Sequence, residues 1–195
     1  VAQDSSKPEF WESRYRDHAT PWDAGKVPVA LQRYAKGLPP GSRVLIPGCG
    51  SAYEARYFLE NKFDVLAIDF SQAAVEAANR TLTGFPDRAR FADFFSFDYG
   101  RPWDCVYERA FLCALPPKTW PQYAQRMAEI IRPGGTLAGF FFFKDTQKGP
   151  PFGTTPEALH ALLDPFFELA EDLAVDDSME VFKGGERWHV WIRRR

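Results

Sequence analysis

The sequence predicts an α/β fold: a seven-stranded, mostly parallel sheet with helices on both faces and an antiparallel hairpin at its C-terminal end. Three features of the chain predict it. From residue 43 onward, short apolar runs alternate with stretches of helical period, the pattern of a parallel sheet whose crossovers are helices. Thr136–Phe143 is apolar enough for a strand covered on both faces. The last two β-like runs are joined through Lys183-Gly184-Gly185 with no helix between them, which permits an antiparallel pair and not a parallel one.

Each element has its own signal. Glu9–Arg16 and Pro28–Lys36 carry helical patterns, separated by the loop Thr20-Pro21-Trp22-Asp23-Ala24-Gly25. Gly37-Leu38-Pro39-Pro40-Gly41 is punctuation. Arg43–Ile46 reads as the first strand, Ala52–Glu60 as a helix, Phe63–Ile68 as a strand, and Ser71–Thr81 as a helix capped by Ser71. Arg88–Ala92 and Trp103–Tyr107 are further strands. Thr119–Ile131 is an amphipathic helix stopped by Arg132-Pro133-Gly134-Gly135. After Thr136–Phe143 come a helix at Thr155–Leu163 and the β-like runs Phe166–Val175 and Arg187–Ile192.

Composition narrows the function. At 195 residues the chain is expected to form one domain whose core needs no disulfide or metal as a staple. Lys+Arg 24 against Asp+Glu 26 gives a net charge of -2, which argues against a nucleic-acid partner. Cys49, Cys105 and Cys113 form no C-x-x-C pair, and His18, His160 and His189 are scattered. The expectation is therefore no metal site and a reducing compartment. No apolar run approaches the ~20 residues of a membrane span. Val1–Pro8 lacks a signal-peptide core, so no membrane partner and a cytoplasmic location are expected. The 18 Phe, 7 Tyr and 6 Trp are too many to assign to packing without asking where they cluster.

The first strand runs into Pro47-Gly48-Cys49-Gly50-Ser51-Ala52-Tyr53. Gly48 and Gly50 allow a tight turn and close approach of a ligand to the backbone. A dinucleotide fingerprint wants a small residue where Tyr53 stands, which disfavours a pyrophosphate cofactor and leaves a nucleoside. Asp69 ends the second strand about 20 residues on, the place of a ribose-binding acid; the alternative is a cap for the helix at Ser71. Asp93, after the third strand, could accept from an adenine amino group with Phe94 beside the ring, or be a surface turn acid beside core phenylalanines. Phe10, Trp11 and Tyr15 sit at near-helical spacing, with Trp22 in the loop beyond. Ring faces recognise a cation that has no hydrogen-bond donor, and they equally form the core face of an amphipathic helix. Arg109 follows the fourth strand at the carboxyl edge, where open α/β sheets bind ligands; it could hold an anionic nucleophile or pair with an acid. Cys113, in an apolar stretch without a nearby His, reads as a buried, inert thiol.

These segments carry a family pattern. Phe10-Trp11-Glu12-Ser13-Arg14-Tyr15, Thr20–Gly25, Val44–Gly50, Tyr107-Glu108-Arg109-Ala110-Phe111-Leu112-Cys113-Ala114-Leu115-Pro116 and Gly149-Pro150-Pro151-Phe152 occur in order over nearly the whole chain. In this the chain resembles the thiopurine S-methyltransferase-like family of S-adenosylmethionine-dependent enzymes, including its halide/thiol methyltransferase branch. The resemblance implies the class I methyltransferase fold, a single domain over residues 1–195 with an aromatic lid at 1–40 and a Rossmann-like core at 41–195. It implies S-adenosyl-L-methionine as methyl donor, S-adenosyl-L-homocysteine as product, and a small acceptor such as a thiol, thiopurine or halide. Donor contacts are implied at Trp11, Tyr15, Trp22, Gly48 and Asp69, with Gly50 in the same loop. Asp93 and Phe94 are implied at adenine, and Tyr107, Glu108 and Arg109 at the reacting end. Family members often carry Trp for Tyr15, Leu for Gly48 and Asp for Glu108, so this chain departs at three positions. Two other readings compete: a non-catalytic adenosyl-ligand binder, and an NAD-dependent oxidoreductase, which Tyr53 and the hairpin oppose. A monomer is compatible with all three.

Overall fold

Val44, Leu45 and Ile46 are almost completely buried, and the strand they form, β1 (Arg43–Pro47), lies parallel to β2 (Asp64–Asp69) with Leu45 opposite Leu66. This is the computed structural model of the chain, which describes residues 4–145 and 148–195. Two helices come first, α1 (Pro8–Arg16) and α2 (Val29–Gly37). α3 (Tyr53–Glu60) crosses from β1 to β2 and buries Ala55, Phe58 and Leu59. α4 (Gln72–Thr81) crosses from β2 to β3 (Ala89–Phe91), which pairs parallel to β2. Ser71 caps α4 as expected, its Oγ accepting the Ala74 N–H at 3.2 Å.

The second half repeats the logic once and then breaks it. β4 (Trp103–Arg109) is followed by α5 (Trp120–Ile130) and by β5 (Ile131–Phe142), which is parallel to β4. After α6 (Pro156–Leu163), β6 (Phe167–Ala174) and β7 (Glu186–Arg193) form the antiparallel pair. The sheet has seven strands in the order β3-β2-β1-β4-β5-β7-β6, so β7 and not β6 lies beside β5. Burial explains that choice. β7 buries Trp188, His189, Val190 and Trp191, whereas β6 leaves Asp172, Leu173 and Ala174 exposed as an edge.

By its contacts the chain divides into two compact units, Val1–Phe97 and Asp98–Arg195, each with its own core. The phenylalanine surplus is largely structural in the second: Phe140, Phe141 and Phe142 are buried in β5. Each such ring contributes about 1.5–3 kcal/mol when fully removed from water. α5 ends at Ile130, ahead of Arg132-Pro133-Gly134-Gly135 as expected, but that segment lies inside β5 and is not a turn before it, and the β4–β5 register shifts between Trp103 and Cys105. Gly139 faces Glu108 across this pair, and a Cβ there would stand 1.9 Å from the Glu108 carbonyl oxygen. Only glycine lets the two backbones come so close. Among the described residues no helix is long and apolar enough to cross a membrane.

Candidate active site

The first unit gathers its candidate residues at the carboxyl ends of β1 and β2. Gly48 and Gly50 adopt positive φ (59° and 50°), so the chain turns sharply out of β1. Gly48 is exposed and Gly50 buried. Asp69 closes β2 with 7% of its surface exposed, and its two oxygens hold both flanking turns: Gly50 N–H donates to Oδ2 at 3.1 Å and Ser71 N–H to Oδ1 at 3.0 Å. The capping alternative is thus realised in part, since the acid ties the start of α4 to the glycine loop. Each carboxylate oxygen keeps acceptor capacity for a further donor. Burial pushes the Asp69 carboxyl up to about 6.

The N-terminal rings stand over this turn. Tyr15 lies so close that a Cβ on Gly50 would meet its Oη at 2.6 Å. Trp22 donates its indole N–H to Tyr15 Oη at 3.3 Å, and the Trp11 and Trp22 rings meet edge to face with centroids 5.4 Å apart. Phe10 is the buried member that packs, while Trp11, Tyr15 and Trp22 are only half-buried. Two further contacts, which sequence reasoning missed, tie this segment down. Glu12 Oε2 accepts from Ser71 Oγ at 2.8 Å and from Ala73 N–H at 3.0 Å, and Asp23 accepts from Ser51 Oγ. The Ala73 N–H in particular holds the Glu12 carboxyl below its usual range. An acid on α1 opposite a helix start is a signal only once the two are known to meet.

Asp93 is exposed and serves its own turn, accepting from Phe95 N–H at 3.0 Å and Ser96 Oγ at 2.9 Å. Phe94 beside it is buried, edge to face with Phe95. These two positions take the arrangement of a turn acid beside core phenylalanines.

In the second unit the end of β4 carries an acidic and a basic group inside the protein. Tyr107 is 1% exposed and its ring lies over Trp188 at 6.4 Å, in the core. Glu108 is equally buried, with Oε2 accepting the N–H groups of Phe111 at 3.1 Å and Leu112 at 2.9 Å. This fixes the 3₁₀ turn Leu112–Ala114. Burial pushes Glu108 up to about 8, and the charge of Glu186 adds to the rise. Arg109 pairs with Glu186, Nε to Oε1 at 3.4 Å, and its guanidinium carbon sits 4.6 Å from the Phe140 ring centroid. Glu186 opens β7, 77 residues away in sequence, and nothing in its local pattern marked it. Cys113 is buried, and burial raises its thiol well above the usual range.

Glu108 gives a pH-dependent expectation. Its pKa is raised on folding, so its stabilising contribution is complete below about 4.5 and drains away as pH rises through about 8. Glu108→Gln keeps the acceptor for Phe111 and Leu112 without the charge. Its thermal midpoint should match the parent near pH 5 and exceed it by about 10 °C or more at pH 9, since a rise from 4.5 to about 8 is worth about 5 kcal/mol, at roughly 2–4 °C per kcal/mol for a chain of this size. Parallel curves across that range would contradict the buried-charge account.

The thiopurine S-methyltransferase family model matches residues 6–192 of the chain. The chain belongs to the thiopurine S-methyltransferase family. It is a methyltransferase that uses S-adenosylmethionine and acts on a small-molecule acceptor. Among relatives of this family, "Probable thiol methyltransferase 2" of Arabidopsis thaliana is 32% identical over 190 residues, covering 93% of this chain and 83% of its own length. "Thiocyanate methyltransferase 1" of Brassica oleracea is 27% identical over 188 residues, with the same shares covered. In fold, the chain resembles magnesium protoporphyrin IX methyltransferase of Synechocystis PCC 6803, with TM-score 0.74, 14% identity and coverage of 99% of this chain and 98% of that one. The first unit fits the family's donor on its own geometry: a buried carboxylate with spare acceptor capacity, an open glycine turn and half-buried indole and phenol rings.

Proposed function

We propose that the chain methylates the sulfur of a small thiol. The observation that carries this reading is the setting of Arg109: one guanidinium, 7% exposed in its side chain, against Phe140 in a stretch with the buried residues Phe111, Leu112 and Cys113. An apolar surround favours a reaction in which charge is dispersed, and an ion-paired guanidinium there suits a soft sulfur nucleophile. The likeness to a relative named a thiol methyltransferase supports the same class.

In this reading Asp69 accepts from the donor's ribose hydroxyls, and Gly48 and Gly50 let the donor approach the backbone. Trp11, Tyr15 and Trp22 face its sulfonium, each ring contributing ~0.5–2 kcal/mol. Asp93 meets the adenine amino group, with Phe94 supporting the turn beneath it. Tyr107 and Glu108 shape the reacting end, and Arg109 meets the acceptor. S-adenosylmethionine, when bound, supplies a methyl carbon that the acceptor sulfur's lone pair attacks; the pair of the broken bond stays on the donor sulfur, and the thiol proton passes to solvent. The residues act by alignment and exclusion of water, where effective molarities reach ~10^5–10^8 M.

Release of S-adenosylhomocysteine tests this with thiols, a thiopurine, iodide and thiocyanate as acceptors. A thiol should raise release at least tenfold over a donor-only control. Release that responds only to iodide or thiocyanate would overturn the reading, and none with any acceptor would favour a binding protein.

A further inference from the structure

Arg109 has a charge partner of its own. Glu186 Oε1 stands 3.4 Å from Arg109 Nε, and its Oε2 accepts a 2.7 Å hydrogen bond from Ser178 Oγ. The two side chains are 7% and 3% exposed, so water screens the pair very little. Glu108 and Cys113 also feel Glu186, and neither adds positive charge. The guanidinium therefore presents to any acceptor a charge that is already balanced. An anion brought to Arg109 meets attraction from the guanidinium and repulsion from the Glu186 carboxylate nearly at once. A protonated thiol meets neither penalty.

We propose that Glu186 is a specificity-determining residue: by neutralising Arg109 it turns acceptor preference toward uncharged thiols and away from permanent anions such as iodide and thiocyanate. The inference rests on the reading above that Arg109 meets the acceptor. Glu186 acts through Arg109, with Ser178 holding its second oxygen in place.

The test compares kcat/KM for thiocyanate and for an uncharged aliphatic thiol at pH 7, where such a thiol is protonated. Glu186→Gln keeps the shape and removes the charge, and should raise the thiocyanate-to-thiol ratio tenfold or more. Ser178→Ala, a milder change at a half-buried position, should move the ratio the same way by about twofold to fivefold, at a loss typical of one hydrogen bond. It carries the test if the Gln variant does not fold. A ratio unchanged in both variants, or an equal fall for both acceptors, would overturn the inference while leaving thiol methylation standing. Arg109→Met distinguishes the premise: parental kcat/KM for both acceptors in that variant would overturn the inference by removing Arg109 from the acceptor. Failure of the parent protein to methylate any thiol would instead sink the proposed function itself.

Discussion

Replacing Asp69 with Ala should weaken binding of S-adenosylhomocysteine by ten- to a hundredfold in calorimetry. The lost hydrogen bonds are to a charged acceptor, worth about 1.5–3 kcal/mol each. The variant also leaves the N–H groups of Gly50 and Ser71 without their partner, so some stability goes with the affinity. Asp69→Asn removes the charge but keeps only one of the two acceptor oxygens, so the thermal midpoint of each variant is read beside its affinity to separate the two effects. The pH dependence follows from burial, which raises the Asp69 pKa from 3.8 to about 6. The ionised form is the stronger acceptor, so affinity should be full above about pH 7 and fall as pH drops through about 6. Protonation favours the folded state for a carboxyl with a raised pKa, so that loss would not reflect unfolding at this residue. In Asp69→Asn the affinity should be low and flat from pH 5 to 8. Parental affinity in the Ala variant would remove Asp69 from the donor site.

Gly139→Ala should cost about 3 kcal/mol or more, the range of severe core overpacking. At roughly 2–4 °C per kcal/mol, the thermal midpoint falls by about 6–12 °C. The reason is geometric: the added Cβ would sit 1.9 Å from the Glu108 carbonyl oxygen, 2.8 Å from its carbonyl carbon and 3.0 Å from its nitrogen. All three are backbone atoms of a paired strand and cannot rotate away. The same substitution would push Glu108 and Arg109 from their positions, so activity should fall further than stability alone accounts for. A midpoint within 3 °C of the parent would contradict the close approach.

The turn at the carboxyl ends of β1 and β2, where we place the donor, was legible because its signals are local. Glycines, strand end and the acid about 20 residues on lie in one βαβ stretch, and the structure brings Gly50 and Asp69 into direct hydrogen bonding. Strands and helices were legible for the same reason: each is a short periodic pattern between Gly and Pro punctuation. The order of the last strands was not, because a hairpin can dock by either member. What decides it is which member carries Trp188 and Trp191 inward, a comparison across the sheet. Arg109 shows the limit most clearly. Its place after β4 suggested a ligand-facing cation or an ion pair, but Glu186 reaches it only through the pairing of β5 with β7. Glu12 against Ser71 and Ala73 is the equivalent in the first unit. Glu108 was unreadable as a buried acid, since no residue pattern announced that the chain would turn back so that Phe111 and Leu112 donate their N–H groups to its carboxylate.

The most direct measurement follows the methyl group. With S-adenosylmethionine deuterated at the methyl and a small aliphatic thiol, mass spectrometry should find the trideuteromethyl thioether in equal amount to S-adenosylhomocysteine. S-adenosylhomocysteine without the thioether, or a label transferred to a nitrogen or oxygen acceptor in preference, would contradict sulfur methylation by this chain.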